Sequence, residues 1–263
     1  MARPSPVTSM IAAAAREPLT GIGMHSTGAG RDWYRDDGWY LSVVEFQPIT
    51  WFQGSVLNVA ASYLWTPPVG ELGPGDGFDH GGRVHGGPKG YELRLEYDGD
   101  DAAFQAGAAC LAARAADEVC RQDDLHDWAK AKQIIFAERD PSPTWGFWNR
   151  AMICLITSDP AARSIFDNFA AALDPASRWH WDRPSPDVTR FITDQIEIFT
   201  PLLDDFPAAQ AHVGHVIETN RALLLTQGYK HLDPAWRFQP PPPGTVPPAP
   251  PEPPRRRFPW RRR

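Results

Sequence analysis

The sequence has few cysteines and no long apolar run, and both shortages exclude classes of protein. Its 263 residues include only three cysteines, Cys110, Cys120 and Cys154, and no Cys-x-x-Cys pair. An odd number without that spacing builds neither a disulfide framework nor a thiolate zinc site, which is typical of a reducing compartment. No stretch approaches the roughly 18 uninterrupted apolar residues of a membrane span. We therefore expect a cytoplasmic protein without a transmembrane segment.

Leader and enzyme signatures are missing as well. The alanine patch near the first residue is short and runs directly into Arg16 and Glu17, so it does not resemble a secretory signal. The chain has no nucleophile elbow, no Walker loop and no zinc-protease helix. Catalytic groups assembled across a fold leave no such motif, so an enzyme stays an alternative to a non-enzymatic protein.

Proline and charge, in contrast, are concentrated in one segment. Residues 239–263 hold 11 of the 28 prolines together with six Arg and Glu252, a net charge of +5. The remaining residues, 1–238, carry 20 basic against 31 acidic side chains, or −11. Proline removes backbone donors and fixes φ, so the sequence predicts a disordered, extended polyproline arm from Gln239 onward.

The arm contains the sequence RRRFPWRRR, which is similar to Trp- and Arg-rich membrane-active peptides. Guanidinium groups attract phosphate while aromatic rings settle into a membrane interface, and single-stranded nucleic acid would bind through phosphate contacts and stacking. The arm could instead fold back on the acidic remainder, and its prolines offer docking sites for SH3-like modules. The residues expected to contact a partner are Arg255, Arg256, Arg257, Phe258, Trp260, Arg261, Arg262 and Arg263.

Residues 1–123 have the pattern of an α+β domain. Ser9 to Arg16 predicts a short helix ended by Glu17-Pro18, and Ala102 to Arg121 predicts a second helix capped by an aspartate. Three aromatic and β-branched runs between these helices predict antiparallel strands, the first two joined by a turn at Asp36-Asp37-Gly38. The fold class is therefore a small antiparallel sheet with flanking helices.

Residues 124–238 have helical periodicity instead. Five helices are predicted, over Leu125 to Glu138, Thr144 to Thr157, Pro160 to Leu173, Pro186 to Leu203 and Pro207 to Gln227. The second and third of these carry apolar stripes and are joined by Ser158-Asp159-Pro160, which predicts an antiparallel helical hairpin. We expect this region to pack on the α+β domain.

Several runs between Met10 and Trp65, with FDHGGRV at 78–84, resemble one family of proteins. The runs are AAREPLTGIGM, RDWYRDDGWYLSVVEFQP and GSVLNVAASYLW. The family is a group of uncharacterised, actinobacterial-type bacterial proteins, domain of unknown function forty-three-oh-four. The resemblance covers roughly residues 10–125 and implies a fold without functional residues; some relatives of such small domains resemble immunity proteins that block a toxin.

Polar side chains on the predicted strands form a candidate ligand site. Glu45 and Gln47 share one face of the second strand, and Asn58 lies near them if the register allows. Arg83 and His85, in the glycine-rich loop from Gly70 to Gly90, are the other candidates. Such groups can line a cleft that recognises a ligand by hydrogen bonds, or they can simply lie on a wet sheet face.

Two sets of side chains could hold a metal ion. Asp79 and His80, in the same glycine-rich loop, offer oxygen and imidazole ligands. His212, His215 and Glu218 are spaced three apart and share a face of the last predicted helix. The alternatives are a flexible surface loop and an ordinary solvated helix face.

Together these patterns predict a binding or accessory protein that is not an enzyme and needs no cofactor. It is cytoplasmic, either free or peripheral at a membrane, and its basic arm contacts an anionic membrane surface, a nucleic acid or an unknown protein partner. One alternative is a small-molecule or metal-dependent enzyme with its site at the Gly70–Gly90 loop. A second alternative, which follows from the resemblance, is an immunity-type protein that neutralises a toxin.

Overall fold

The α+β fold class is confirmed by a computed structural model, which describes residues 5–28, 30–68, 79–86, 91–137, 145–177 and 184–249. The helices are α1 (Pro6–Gly21), α2 (Asp101–Arg121), α3 (Trp128–Ala137), α4 (Trp145–Ile156), α5 (Ala161–Ala170), α6 (Pro186–Phe199) and α7 (Phe206–Thr226). The strands are β1 (His25–Ser26), β2 (Asp32–Asp36), β3 (Tyr40–Gln47), β4 (Gly54–Tyr63), β5 (His80–Arg83), β6 (His85–Gly86), β7 (Tyr91–Glu92) and β8 (Arg94–Glu96). None of the described helices is long and apolar enough to cross a membrane.

The main sheet is antiparallel and runs in the order β1-β2-β3-β4-β5, while β8 pairs with the first residues of β4. The predicted turn between β2 and β3 is present, with Gly38 at φ +85°. Asp36 Oδ1 accepts a hydrogen bond of 3.0 Å from the amide of Gly38 and closes this turn. All ten residues of β4 are buried, so this strand is covered on both faces. Along one face Leu57, Val59, Ala61 and Tyr63 belong to the apolar cores, whereas Val56, Asn58, Ala60 and Ser62 on the other face are buried but belong to neither core.

Helix α1 is longer than the sequence predicts. Ser5 caps it by accepting the amide of Thr8, and Pro6 stands at its first position, where a missing N–H has no cost. Pro18 does not end the helix, which continues to Gly21. Leu19, one turn beyond Ala15 on the buried side, is fully buried in the core, and its packing offsets the backbone bond that proline removes.

The stretch predicted as a glycine-rich loop, Gly70 to Gly90, is partly strand. His80 to Arg83 form β5, which pairs with residues 58–61 of β4, and His85–Gly86 pairs with Tyr91–Glu92. The prediction of a loop is wrong for these residues, because backbone pairing with the exposed edge of β4 overrides the low strand propensity of glycine. Residues 69–78 and 87–90 lie outside the described part of the chain.

Two apolar cores meet at the sheet. The first contains α1, α2 and the sheet residues Trp33, Val44, Phe46, Leu57 and Val59. The second contains helices α3 to α7 and sheet residues such as Tyr34, Leu41 and Tyr63, with Trp65 just after β4. The helical region thus packs on the sheet.

Helix α4 is the centre of the helical region. Every residue from Gly146 to Ile156 is buried, as expected of a helix that is apolar all round. It forms the predicted hairpin with α5 through the link at residues 157–160. Trp148 Nε1 donates a hydrogen bond to Thr66 Oγ1, and its ring packs edge-on against Phe191 and Phe199.

The chain after α7 does not leave the folded part at Gln239. Residues 239–249 contain no helix or strand, in keeping with their prolines, but they contact the helical region. The carbonyl of Pro247 accepts a hydrogen bond from Lys132, and the amide of Ala249 donates one to Asp159. The expectation of a free arm is therefore corrected for these residues, and the part of the predicted arm from Pro250 onward lies outside the described residues.

Candidate functional site

Four of the five predicted ligand-binding residues lie together on one face of the sheet. The strand register places Glu45 opposite Asn58, and Asn58 opposite Arg83. Asn58 Nδ2 donates to Glu45 Oε2 at 2.6 Å and to Gln47 Oε1 at 3.3 Å. Arg83 Nη2 donates to the same oxygen of Gln47 at 2.8 Å. These side chains satisfy one another, so the arrangement stabilises the pairing of β3, β4 and β5 without any ligand.

A fifth polar residue, Asp32, joins this face and was not predicted. It lies opposite Glu45 in the pairing of β2 with β3. Burial raises the pKa of Asp32, the neighbouring charge of Glu45 raises it further, and Arg31 opposes both effects. We call Asp32, Glu45, Gln47, Asn58 and Arg83 the polar strip. Two adjacent carboxylates share one end of it, and Asp32 holds a proton at higher pH than a solvated aspartate does.

His85, the remaining predicted residue, lies in β6, two residues after Arg83. It lines a cleft of about 420 Å³ between β5 and α2, together with His80 and Arg83. We call this space the β5–α2 cleft. A Cβ at Gly82 would meet no described atom within 4 Å, so the glycine leaves the strand side of the cleft open. The volume lies within the range of small-molecule sites, roughly 300 to 1,000 Å³.

The other wall of the cleft is the end of α2, where Glu118, Arg121 and Gln122 lie. Glu118 accepts hydrogen bonds from Arg121 at 2.7 Å and from Arg114 at 2.5 Å. The hydroxyl of Tyr40 donates to the backbone carbonyl of Gln122 at 3.1 Å and fixes the backbone at this point. The cleft is thus bounded by two elements that are both tied to the sheet.

Gln122, on this wall of the cleft, carries a buried polar atom without a partner among the described residues. The residue is 7% exposed, and its Oε1 is buried without a hydrogen-bond donor among the described residues. It follows Ala115 and Val119 on the buried side of α2, one turn beyond Val119. A polar residue on an otherwise apolar stripe is the signal by which the sequence could have revealed it.

The first predicted metal set serves a structural purpose. Asp79 Oδ2 accepts the amide of Tyr63 at 2.7 Å, and its Oδ1 accepts from Asn149 Nδ2 at 3.4 Å. Asn149 in turn accepts the indole N–H of Trp65 at 2.9 Å. Asp79 therefore connects β4 to α4. Over the described ranges of the chain, no group of three His, Cys, Asp or Glu side chains is arranged to hold a metal ion.

The second predicted metal set is divided between two environments on α7. The His212 ring packs edge-on against Phe199 at 5.1 Å, and burial, followed by the charge of His215, lowers the pKa of His212. Glu218 instead accepts the amide of Phe238 at 3.1 Å and holds the chain that follows α7. His212 therefore serves packing, and Glu218 serves anchoring.

Two buried ion pairs, which the sequence analysis missed, hold the chain after α7. At the first, Arg221 makes a bidentate contact with Asp36 at 2.5 and 2.7 Å and also donates to the carbonyls of Gly38 and Asp233. Asp36 accepts the amide of Asp233 at 2.8 Å, and Trp236 stacks on the guanidinium at 4.6 Å. We call this contact the Arg221–Asp36 anchor.

The second pair lies in the helical region. Lys132 Nζ donates to Asp159 Oδ2 at 2.5 Å and to the carbonyl of Pro247 at 2.9 Å, and both charged side chains are 3% exposed. Asp159 also accepts the amides of Ala161 at 2.8 Å and Ala249 at 2.5 Å. This contact, the Lys132–Asp159 anchor, fixes the proline-rich chain as far as Ala249.

The predicted partner-binding residues Arg255 to Arg263 lie outside the described part of the chain. Comparison of the chain with models of protein families, with curated proteins and with solved structures gives no significant match. The resemblance to the bacterial family therefore stays a prediction, and function has to be argued from the chemistry of the chain.

Proposed function

We propose that this protein is a binding protein that attaches to a polyanionic surface, with an anionic membrane as the favoured class, through residues Arg255–Arg263. The observation that carries the proposal is the Lys132–Asp159 anchor, which fixes the chain at Ala249. Five residues, four of them proline, separate Ala249 from Arg255. The basic segment therefore begins close to a fixed point of the folded part.

Charge and aromatic content support the membrane as the favoured partner. Each basic residue near an anionic bilayer contributes about 1 kcal/mol of binding free energy, and the segment has six arginines. Phe258 and Trp260 add apolar surface of the kind that settles at the headgroup boundary. Residues 1–238 carry a net charge of −11, whereas the basic segment carries six arginines and no acidic residue.

Co-sedimentation of the full chain with lipid vesicles tests the proposal. We expect binding to vesicles of phosphatidylserine and phosphatidylcholine and none to phosphatidylcholine alone. Replacing the six arginines of the segment by glutamine should abolish binding, and replacing Phe258 and Trp260 by serine should weaken it about tenfold. Arg163→Gln, which removes one exposed charge elsewhere, is the matched control.

Two results would contradict the proposal. Equal sedimentation of the wild type and the six-glutamine variant would show that the segment is not the binding element. Retention of the chain on single-stranded RNA, with no binding to anionic vesicles, would replace the membrane by a nucleic acid as partner.

A further inference from the structure

Another pocket lies between α7 and the chain that follows it. Its volume is about 400 Å³, and its apolar lining consists of Pro207, Ala211, Gly214, Phe238 and Pro240. A Cβ at Gly214 would meet Phe238 Cδ1 at 2.6 Å, so the glycine lets the Phe238 ring lie close against α7. We call this space the α7 pocket. Walls of proline and aromatic surface suit an aromatic side chain.

The polar part of the lining favours an occupant that carries a donor and a positive charge. Glu218 contributes a carboxylate, which already accepts the amide of Phe238 at 3.1 Å, and Gln210 and His215 complete the polar lining. No lysine or arginine belongs to the described lining, and the exposed Asp205 lies at the start of α7. A buried indole N–H needs an acceptor, so a tryptophan matches this lining better than a phenylalanine does.

The described chain ends close to the α7 pocket. Gln210 Nε2, in the pocket lining, donates a hydrogen bond to Ser158 Oγ at 3.0 Å. Ser158 directly precedes Asp159, which accepts the amide of Ala249, the last described residue. The ten residues between Ala249 and Trp260 extend about 30 Å at roughly 3.1 Å per residue. This length lets Trp260 reach the pocket while the Lys132–Asp159 anchor stays formed.

We propose that the α7 pocket binds the side chain of Trp260 of the same chain and keeps the basic segment on the folded part when no anionic surface is present. The six arginines of the segment then lie against a folded part whose residues 1–238 carry a net charge of −11. An anionic membrane competes for the same segment, so the pocket limits attachment. This regulation rests on the function proposed above, whereas the contact of Trp260 with the pocket does not.

NMR of the ¹⁵N-labelled full chain, without any membrane, tests the contact. Trp260→Phe identifies the indole N–H signal of Trp260. Ala211→Arg places a long cationic side chain in the pocket from an exposed helix position, so this signal should move to the position of a solvated tryptophan. Ala109→Arg adds the same side chain at an exposed position of α2 and should leave the signal unchanged.

Two results would overturn the contact. One is an indole signal of Trp260 at the same position in the wild type and in Ala211→Arg. The other is a signal of the wild type that moves to the solvated position on tenfold dilution, because the occupant of the pocket would then come from a second copy of the chain.

Co-sedimentation with phosphatidylserine vesicles tests the regulation. Ala211→Arg and Ala109→Arg have the same net charge and differ in whether the α7 pocket is filled. We expect Ala211→Arg to bind these vesicles at least threefold more tightly than Ala109→Arg, and equal affinities would refute the regulation. If neither the wild type nor the variants bind the vesicles, the function proposed above fails together with its regulation, while the indole signal decides the contact independently.

Discussion

The two anchors of the chain after α7 are built in the same way but connect different numbers of elements. Each is a buried ion pair whose spare hydrogen-bonding capacity is filled by the backbone of a passing segment. Arg221 joins α7, the β2–β3 turn and the segment at Asp233, whereas Lys132 joins α3, the start of α5 and the segment at Pro247. The first anchor therefore connects the sheet to the helices, and the second connects parts of the helical region only.

The two anchors connect different sets of elements because their cations differ. The planar guanidinium of Arg221 reaches both carboxylate oxygens of Asp36 and two carbonyls and also stacks on Trp236. The ammonium of Lys132 is a compact charge with two described partners. An arginine thus suits a junction of several elements, and a lysine suits a single pair in a narrow space.

Removing the cation of the larger anchor should have the largest effect. Arg221→Met leaves Asp36 buried without its counter-charge, so we expect a loss of about 3 to 5 kcal/mol in the free energy of unfolding. Urea denaturation followed by tryptophan fluorescence measures it. Arg221→Lys, which keeps the charge and loses the fork, should fall between the wild type and Arg221→Met; a loss below 1 kcal/mol in Arg221→Met would refute the structural importance of this anchor.

Replacing the cation of the second anchor by methionine should lower the free energy of unfolding by less. Lys132→Met removes two hydrogen bonds, whereas Arg221→Met removes four together with the stacking on Trp236, so we expect a smaller loss of about 2 to 3 kcal/mol. Hydrogen exchange should also show faster exchange of the Ala249 amide, because the segment loses the bond to Lys132.

An exposed ion pair provides the control for the variants at both anchors. Arg163 contacts Asp204 at 2.6 Å on the surface, where screening and side-chain entropy cancel most of the attraction. Arg163→Ala should leave the urea midpoint unchanged. If its effect equalled that of Lys132→Met, burial would not be what distinguishes the anchors from surface pairs.

Acid should weaken both anchors, because the pKa values of Asp36 and Asp159 are lowered. The pKa of the neighbouring Asp37 is raised, so this residue provides a contrast. Burial alone would raise the pKa of Asp159, but hydrogen bonds from Lys132 and from the amides of Ala161 and Ala249 outweigh it and lower the pKa. Burial alone would likewise raise the pKa of Asp36, but hydrogen bonds from Arg221 and from the amide of Asp233 lower this pKa. The stabilisation is present above the unfolded pKa, about 3.9, and is lost as pH falls through the lower folded value.

The pKa of Asp37 shifts in the opposite direction. Burial raises it, although hydrogen bonds from Ser42 and Arg35 oppose the rise. The destabilising effect of Asp159→Asn, measured by urea denaturation, should therefore shrink between pH 7 and pH 3, and Asp37→Asn should be relatively more stabilising at pH 7 than at pH 3. An effect of Asp159→Asn that does not change with pH would contradict the assignment of the lowered pKa.

Local patterns predicted much of the fold. The Ser and Pro signals before α6 and the apolar stripes of α4 and α5 are contained within single helices, and the structure has all five predicted helices of this region. The strand β5 was missed because His80-Gly-Gly-Arg83 has little strand propensity, and only the neighbouring edge of β4 makes it a strand. Pro18 was wrongly taken as a helix end because the packing of Leu19 is invisible locally.

The candidate sites also divide into features that local patterns predict and features that depend on tertiary contacts. Alternation along β3 placed Glu45 and Gln47 on one face, but their contact with Asn58 depended on strand register, which the sequence leaves open. The anchors could not be predicted, because Arg221 and Asp36 are 185 residues apart and nothing local pairs them. Whether Gln122 has a partner is likewise decided by the tertiary packing around it.

The separation between Asp36 and its partners also bears on biosynthesis. A ribosome that has released the whole sheet has yet to translate Arg221 and Asp233, which neutralise and hydrogen-bond this carboxylate. The β2–β3 turn closes through the local bond to Gly38, but the Asp36 carboxylate gains its counter-charge only after nearly the entire described chain has emerged.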